Sequence, residues 1–573
     1  MKKILILLFV IAVNGLYGQS LPHTFAPGEQ SIMPLYLHSR VAAPGAIVTP
    51  PVSPVRTIAE WEELQGLTIT WTSYQSILKE IVRAAKEETR VYIVCSSASS
   101  VISYLAANNI DTVNVTCLQL PYNSVWSRDY GPWSAYTNDV DTLLTIDWIY
   151  NRPRPLDNAL PSLLAAQLNT PFYETTTAPW NLIHTGGNFM TDGFGTGFSS
   201  NLVIDENPNK TEAEIDTIMN RFMGITRYVK MSTLPYDQIH HIDMHTKLLD
   251  EETILIGQYP AGIADGPQIE ANLLYVLNNF NSIYGTPYKI VRIPMPADNG
   301  QFPSNGGDYF TYTNSSFINK TIIVPVYNIP ADTTALRIYR EALPGYTVTG
   351  INSLASIGAL GALHCITKEL ATGDPLLISH QPLPDTYDDV NPYSVMALVK
   401  HRSGISQALL YYRTDTLQPY VSLPMTQGFN PDYWLADIPA QSVGTHIYYY
   451  VQGIAVSAKQ QVRPMPAPAG YWKFEVLGPT GSGPLVDDFI AGNVFPNPSK
   501  GITCFPVTTP SAQHLKITLI DVTGRLNRVV FEGLTFAGEN RYFTDTKMLP
   551  AGVYLVNFEL ASGRSFQQKL IVK

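Results

Sequence analysis

The sequence is short of cysteine, of charge and of long apolar runs. Four cysteines in 573 residues (Cys95, Cys117, Cys365 and Cys504) cannot build a disulfide framework. Charged residues are 15% of the chain and no Lys/Arg-dense stretch stands out, which argues against binding nucleic acid by charge. No segment after the N-terminus approaches about 18 uninterrupted apolar residues, so the mature chain is not expected to span a membrane. With 37 Lys+Arg against 47 Asp+Glu, the formal net charge is −10. What is present is core-forming residue: 45% hydrophobic, which excludes global disorder. The 33 tyrosines and 43 prolines point to β-rich, turn-rich regions. At about 150 residues per domain, the length implies three or four domains.

The chain reads as six consecutive segments. Lys2 and Lys3 followed by an apolar run from Ile4 to Val13 and a small residue at Gly18 predict a secretory signal over 1–18. Residues 19–54 are Pro-rich and irregular, an extended leader or removable pro-segment. From 55 to 375, strands alternate with helices, which predicts an α/β domain. The strands are expected at Gly66–Trp71, Arg90–Cys95, Thr142–Trp148, Thr253–Tyr259 and Thr321–Tyr327, and the helices at Tyr74–Lys86, Glu212–Phe222 and Ile269–Phe280. The pairs Gly186-Gly187 and Gly306-Gly307 suggest a repeated turn. Residues 376–478 lose the helical signal and predict an all-β sandwich. A Gly/Pro/Ser linker follows at 479–489, and 490–573 is again β-patterned.

Chemistry concentrates in four stretches of the α/β domain: Trp126–Trp133, His184–Gly193, His240–His245 and Gly361–Ile366. Cys365 beside a glycine-rich turn is a candidate nucleophile, although a lone cysteine is more often a buried hydrophobe. On an extended segment His241 and Asp243 share a face, as suits acid–base work. With His245 they could also bind a metal. Asp129 alone would be a turn residue. Together, a thiol, an imidazole and two carboxylates are the inventory for attack on a guanidinium carbon, because carboxylates grip that planar cation by paired N–H···O bonds.

These residues carry a resemblance. Trp-x-Arg-Asp-x-Gly-Pro, Gly-Gly-Asn, His-x-Asp and a late His-Cys, in that order, resemble the agmatine deiminase family of guanidine-modifying enzymes. They are closer still to the Porphyromonas-type peptidylarginine deiminases, whose domain layout is similar along nearly the whole chain. The resemblance implies a pentein fold, a five-bladed α/β propeller with the site at its centre. It makes Cys365 the nucleophile, His241 (rather than His240) the general acid/base, Asp129 and Asp243 the guanidinium carboxylates, and Asn314 a site residue. Trp126 and Ile239 would line the pocket. It needs no catalytic metal or cofactor, and leaves room for structural calcium or sodium. Phe495-Pro496-Asn497-Pro498, Leu549-Pro550-Ala551-Gly552 and the terminal Lys569–Lys573 resemble the C-terminal sorting domain of the type IX secretion system. That implies the secretion machinery as a partner and an extracellular or outer-membrane-surface location.

The substrate reading rests on Asn151-Arg152-Pro153-Arg154-Pro155. Each arginine precedes a proline, which biases it to an extended conformation, and spacing by two puts both on a similar side. The bland alternative is a solvated basic turn. Two fixed cations suit a carboxylate and repel the distal amine of agmatine. The expected substrate is therefore a peptide or protein with C-terminal arginine, deiminated by a monomer. The rivals are a small-guanidine hydrolase such as an agmatine deiminase, a secreted cysteine peptidase using Cys365 and His241, and a non-enzymatic adhesin.

Overall fold

The computed structural model describes residues 21–478, 489–509, 513–521, 524–535, 538–560 and 565–573. The signal at 1–18 and the linker from 479 to 488 lie outside the described residues.

Residues 55–371 are built from one unit used five times. Each unit is an antiparallel strand pair, a helix, and a third strand that returns parallel to the second. The units are Trp133–Thr137 and Leu143–Tyr150 with Phe172–Thr175; Met190–Thr191 and Thr196–Ser200 with Arg227–Met231; Thr246–Leu248 and Thr253–Gln258 with Lys289–Pro294; and Ser316–Ile318 and Thr321–Val326 with Thr347–Asn352. The fifth joins the two ends of the region. Lys368–Ala371 pairs with Leu64–Thr70, which continues parallel to Arg90–Val94. The crossover helices are Leu160–Leu168, Glu212–Met223, Gly266–Asn279, Ala331–Ala342 and Gln75–Ala85. The repeat is carried by this unit and not by the Gly-Gly pairs. Gly187 lies in a 3-10 turn before a leading strand, whereas Gly306 ends a 3-10 turn in the left-handed region at φ 96°.

Local sequence explains the elements. In Gln75–Ala85 the residues Ile77, Leu78, Ile81, Val82 and Ala85 recur at helical spacing, and all are buried. Each large one contributes about 1.5–3 kcal/mol of apolar burial. Glu212–Met223 starts on a capping box between Thr211 and Glu214 and stops at left-handed Gly224. Leu64–Thr70 runs between neighbours and is buried on both faces from Gly66 onward, as parallel-sheet strands are.

The leader departs from the irregular reading. Glu29–Ser39 is an α-helix with Pro34 inside it. Its first turn is fixed because the Glu29 carboxylate accepts the Ala26 N–H (2.7 Å), which replaces local propensity with a tertiary anchor described below. Beyond the helix, Ile47 pairs with Tyr173 at the edge of a sheet.

From Leu377 to Glu475 every regular element is a strand, in two sheets that share a core of Val395, Val399, Leu410, Tyr449, Val451 and Phe474. The strand Tyr393–Lys400 buries alternate residues, the period-two pattern of a sandwich. The sandwich docks on the α/β region: Lys459 and Gln461 bind Glu63 (2.7 and 3.0 Å), and the Arg463 guanidinium donates to the Trp61 carbonyl (3.2 Å). The described residues from 489 onward form two further sheets around Phe505, Ile517, Leu519, Val556 and Phe558. No helix among the described residues is long and apolar enough to cross a membrane.

Candidate active site

Each unit delivers one polar group from the turn that enters its leading strand. Asp129 lies in the short helix Ser127–Tyr130, before the strand at Trp133. Asn188 ends the 3-10 turn Gly186–Asn188, before Met190. Asp243 lies in the 3-10 turn Ile242–Met244, before Thr246. Asn314 comes just before Ser316, and Cys365 just before Lys368. The turns meet in the middle of the region, where Trp126, Asp129, Ile239, His241, Asp243, Asn314, Cys365, Arg152 and Arg154 are all buried.

One local expectation is corrected. His241 and Asp243 are not neighbours along a strand face. His241 is extended and Asp243 is one residue into a 3-10 turn. Their side chains therefore reach different partners. The Asp129 Oδ1 lies 3.6 Å from His241 Nδ1, while Asp243 faces Cys365. His241, Asp243 and His245 do not form a group with metal-ligand spacing; among the described residues that spacing belongs to His23, Asp129 and His241. His240 is left-handed (φ 57°) and only half-buried.

The thiol is held closely. Asn314 Nδ2 donates to Cys365 Sγ (3.1 Å), and Asn314 Oδ1 accepts the N–H groups of Ala362 and His364 (3.2 and 3.0 Å). Cys365 Sγ lies 3.6 Å from Asp243 Oδ2, which also binds His364 Nδ1 (2.7 Å). Burial pushes the Cys365 thiol well up, Asp243 and Asp129 add to the shift, and the Asn314 amide opposes it. The resting sulfur is thus a thiol. His241 is pushed down to about 4 by burial, partly offset by Asp129, so its imidazole is neutral at pH 7. Burial would raise Asp129, but His23 and His241 beside it hold its carboxyl below the usual range. Asp129 is therefore ionised.

Two glycines are required by close approach. A Cβ on Gly187 would run into His241 Nδ1 and Asp129 Oδ1, and one on Gly361 into the Trp126 ring.

Sequence reasoning missed a supporting layer. His364 is clamped between Asp243 and Glu60 Oε1 (2.8 Å). Burial would raise Glu60, but His364 and Lys247 hold its carboxyl well below the usual range. Arg128 turns away from its neighbour Asp129 and pairs with Glu369 (2.6 Å). The adjacency of His364 to Cys365 was the only signal. Glu60 stands some 300 positions away and had none. His184 is a satisfied structural histidine on Tyr228 and the Thr185 amide.

It also missed the leader, which enters the site. The His23 ring is 1% exposed and stacks on Trp126 with centroids 4.1 Å apart and planes 6° from parallel. Its Nε2 donates to Asp129 Oδ2 (2.6 Å) and its Nδ1 to the Leu360 carbonyl (2.8 Å). Arg152 and Arg154, far from being a solvated turn, bind leader atoms. Arg152 Nε donates to the His23 carbonyl (3.2 Å), and Arg154 Nε and Nη2 grip the Glu29 carboxylate (2.9 and 3.0 Å).

A family model described as Porphyromonas-type peptidyl-arginine deiminase matches residues 56–370, more than half of the chain. The chain belongs to that family. A second family model, the secretion system C-terminal sorting domain, matches residues 493–573. A candidate agmatine deiminase of Legionella pneumophila (strain Paris) is 24% identical over 269 residues, covering 45% of this chain and 75% of that protein. One from Vibrio parahaemolyticus is 23% identical over 352 residues, covering 54% and 95%. Among solved structures, a candidate arginine deiminase from Porphyromonas gingivalis superposes with a TM-score of 0.50 at 22% identity, over 56% of this chain and 99% of that one. These likenesses place the α/β region of this peptidyl-arginine deiminase family member in the pentein superfamily. Its family chemistry is hydrolysis of guanidino C–N bonds, and its tail is a secretion sorting domain.

Proposed function

We infer that this chain is a secreted peptidylarginine deiminase that converts C-terminal arginine of peptides to citrulline and ammonia. The five units read as blades of one propeller with the site on its axis. The observation that carries the substrate is Arg152 Nε on the carbonyl of the residue whose side chain occupies the Asp129 seat. In a peptide ending in arginine, that carbonyl carbon is the terminal carboxylate. Arg154, now on the Glu29 carboxylate, supplies the second cation for it.

In this reading Asp129 and Asp243 orient the guanidinium, with Trp126 flat against it. The arriving cation offsets the two carboxylates that keep Cys365 protonated. The Cys365 proton passes to neutral His241 as Sγ bonds to the guanidinium carbon. His241 returns that proton to the departing nitrogen as the C–N bond breaks, and ammonia leaves. Water, giving a proton to His241, attacks the amidino-thioether carbon. The C–S bond breaks as His241 passes that proton to the sulfur, which restores the thiol, and the new oxygen gives up its remaining proton to solvent as citrulline forms. No step calls on a metal or cofactor. The sorting domain supports delivery to the cell surface or medium.

The test is ammonia release by residues 44–478 from a peptide ending in arginine, the same peptide amidated, and agmatine, with the ureido product (peptidyl-citrulline or N-carbamoylputrescine) identified by mass spectrometry. Strong turnover of the free-carboxylate peptide alone is expected, and Cys365→Ala should abolish it. Preference for agmatine would overturn the substrate; the names of the Legionella and Vibrio relatives keep that second reading open. Peptide cleavage without ammonia would point to a peptidase instead.

A further inference from the structure

The leader meets four of the groups that the reaction would use to hold its substrate: Trp126, Asp129, Arg152 and Arg154. Leu21 offers its carbonyl to Trp126 Nε1 (3.0 Å), and Pro22 and Thr24 offer theirs to Arg154 Nη2 (2.7 and 3.0 Å). His23 supplies the side chain between them. Its two nitrogens face a carboxylate and a backbone carbonyl, both of which only accept. A flat ring therefore sits on Asp129 and against Trp126, with the carbonyl of its own residue on Arg152. Phe25 lies under the Arg152 guanidinium, 4.4 Å from it, and Glu29 puts a carboxylate on Arg154. The far end is tied down separately: Arg40 and the Ala43 N–H bind Glu174 (3.2 and 2.8 Å), and the Ile47 N–H binds the Phe172 carbonyl (2.8 Å).

We propose that residues 21–43 are an internal pseudo-substrate, that the groove they fill is the peptide-binding groove, and that the chain is latent until they leave. This rests on the deiminase reading for the name of the reaction, but not for the occupancy of the site. His23 binds without being consumed. Both its nitrogens are ring atoms, so attack by Cys365 has no amine to expel. It engages Asp129 but leaves Asp243 on His364, because histidine is shorter than arginine, and this draws the leader backbone close to the mouth. Two patches of binding, the His23–Glu29 end and the Arg40–Ala43 end, act as one ligand of very high effective concentration. A soluble peptide cannot compete with that while the leader remains covalently attached.

The test compares residues 19–573 with residues 44–573 by two independent readouts. The first is alkylation of Cys365 by 2-chloroacetamidine, a small planar cation that carries a thiol-reactive carbon, followed by mass spectrometry. The second is citrulline release from a peptide ending in arginine. We expect both to be at least tenfold faster in the shorter chain and His23→Ala in the longer chain to be faster than its parent. A synthetic peptide of residues 19–43 added to the shorter chain should slow both, and the same peptide carrying His23→Ala should not. Should the shorter chain fold poorly, the His23→Ala comparison in the longer chain decides alone. Equal alkylation rates in folded chains with and without the leader, or with and without His23, would overturn latency. Faster alkylation with no citrulline from either chain would uphold the pseudo-substrate and overturn the deiminase reading. Equal citrulline release from both would do the reverse.

Discussion

At the scale of single residues, Asn314 is the most informative position. It ties three neighbouring backbone N–H groups to itself and gives an N–H to the thiol. Asn314→Ala should lower stability by about 1–3 kcal/mol for each buried donor left without an acceptor, read as a drop in the midpoint of urea unfolding. Asn314→Asp keeps the shape and the acceptor, removes the donor and adds a third negative charge beside Cys365. Its melting temperature should stay near that of the parent chain while citrulline release falls by roughly ten- to 150-fold, since a hydrogen bond to a charged group is worth about 1.5–3 kcal/mol. The same electrostatics sets a pH dependence. Because burial, Asp243 and Asp129 raise the Cys365 thiol, alkylation by neutral iodoacetamide in the leaderless chain should climb through pH 9 without a plateau. A plateau below pH 8 would mean that the thiolate is preformed. Sequence singled out Asp129, His241, Asp243, Asn314 and Cys365 because each sits in a short motif of unusual residue types. It could not show that His241 and Asp243 part company, since that depends on a 3-10 turn with no strong local signature. Nor could it show Glu60 or His23, whose partners lie hundreds of residues away.

At the scale of elements, the turns that enter the leading strands do the positioning. Gly187→Ala puts a methyl group against His241 and Asp129, so turnover should fall severely while circular dichroism stays unchanged. A Gly187→Ala enzyme of normal activity would show that this turn can move aside. Thr211→Ala is the matched control. It breaks the capping box of Glu212–Met223, far from the thiol, and should lower stability by about 0.5–2 kcal/mol with kcat unaltered. Five of the strands and three of the five crossover helices were visible in the sequence because burial imposes strong periodicity on them, and their ends shift by only a residue or a few; the shorter strands and the helices Leu160–Leu168 and Ala331–Ala342 were not. The leader helix was not. Its apolar residues form no buried face, Pro34 interrupts it, and only its docking on Arg154 gives it a reason to form.

At the scale of the whole molecule, the sandwich is bound to the α/β region through charge. Arg463 reaches the Trp61 carbonyl and lies 3.5 Å from Glu251, which burial has pushed up to about 7. Arg463→Met should therefore loosen the two parts. The expected result is a melting temperature several degrees lower for residues 44–478, with proteolysis starting between them. No described residue of the sorting domain is among the thiol's hydrogen-bond partners, so a chain ending at 478 should keep full turnover. The change from alternating helices and strands to strands alone was readable from the sequence, whereas the way the parts dock was not, because interface ion pairs leave no periodic trace.

The unit that carries Cys365 is made from the two extremes of the α/β region, Leu64–Thr70 from its start and Lys368–Ala371 from its end. This sets a timetable for maturation. A chain still being synthesised or threaded through an export pore has Asp129, His241 and Asp243 in hand long before it has the sulfur or the strand that seats it. Until the last strand closes against one of the first, no partial assembly can set the thiol among its neighbours, so the site is completed in a single late step rather than by degrees.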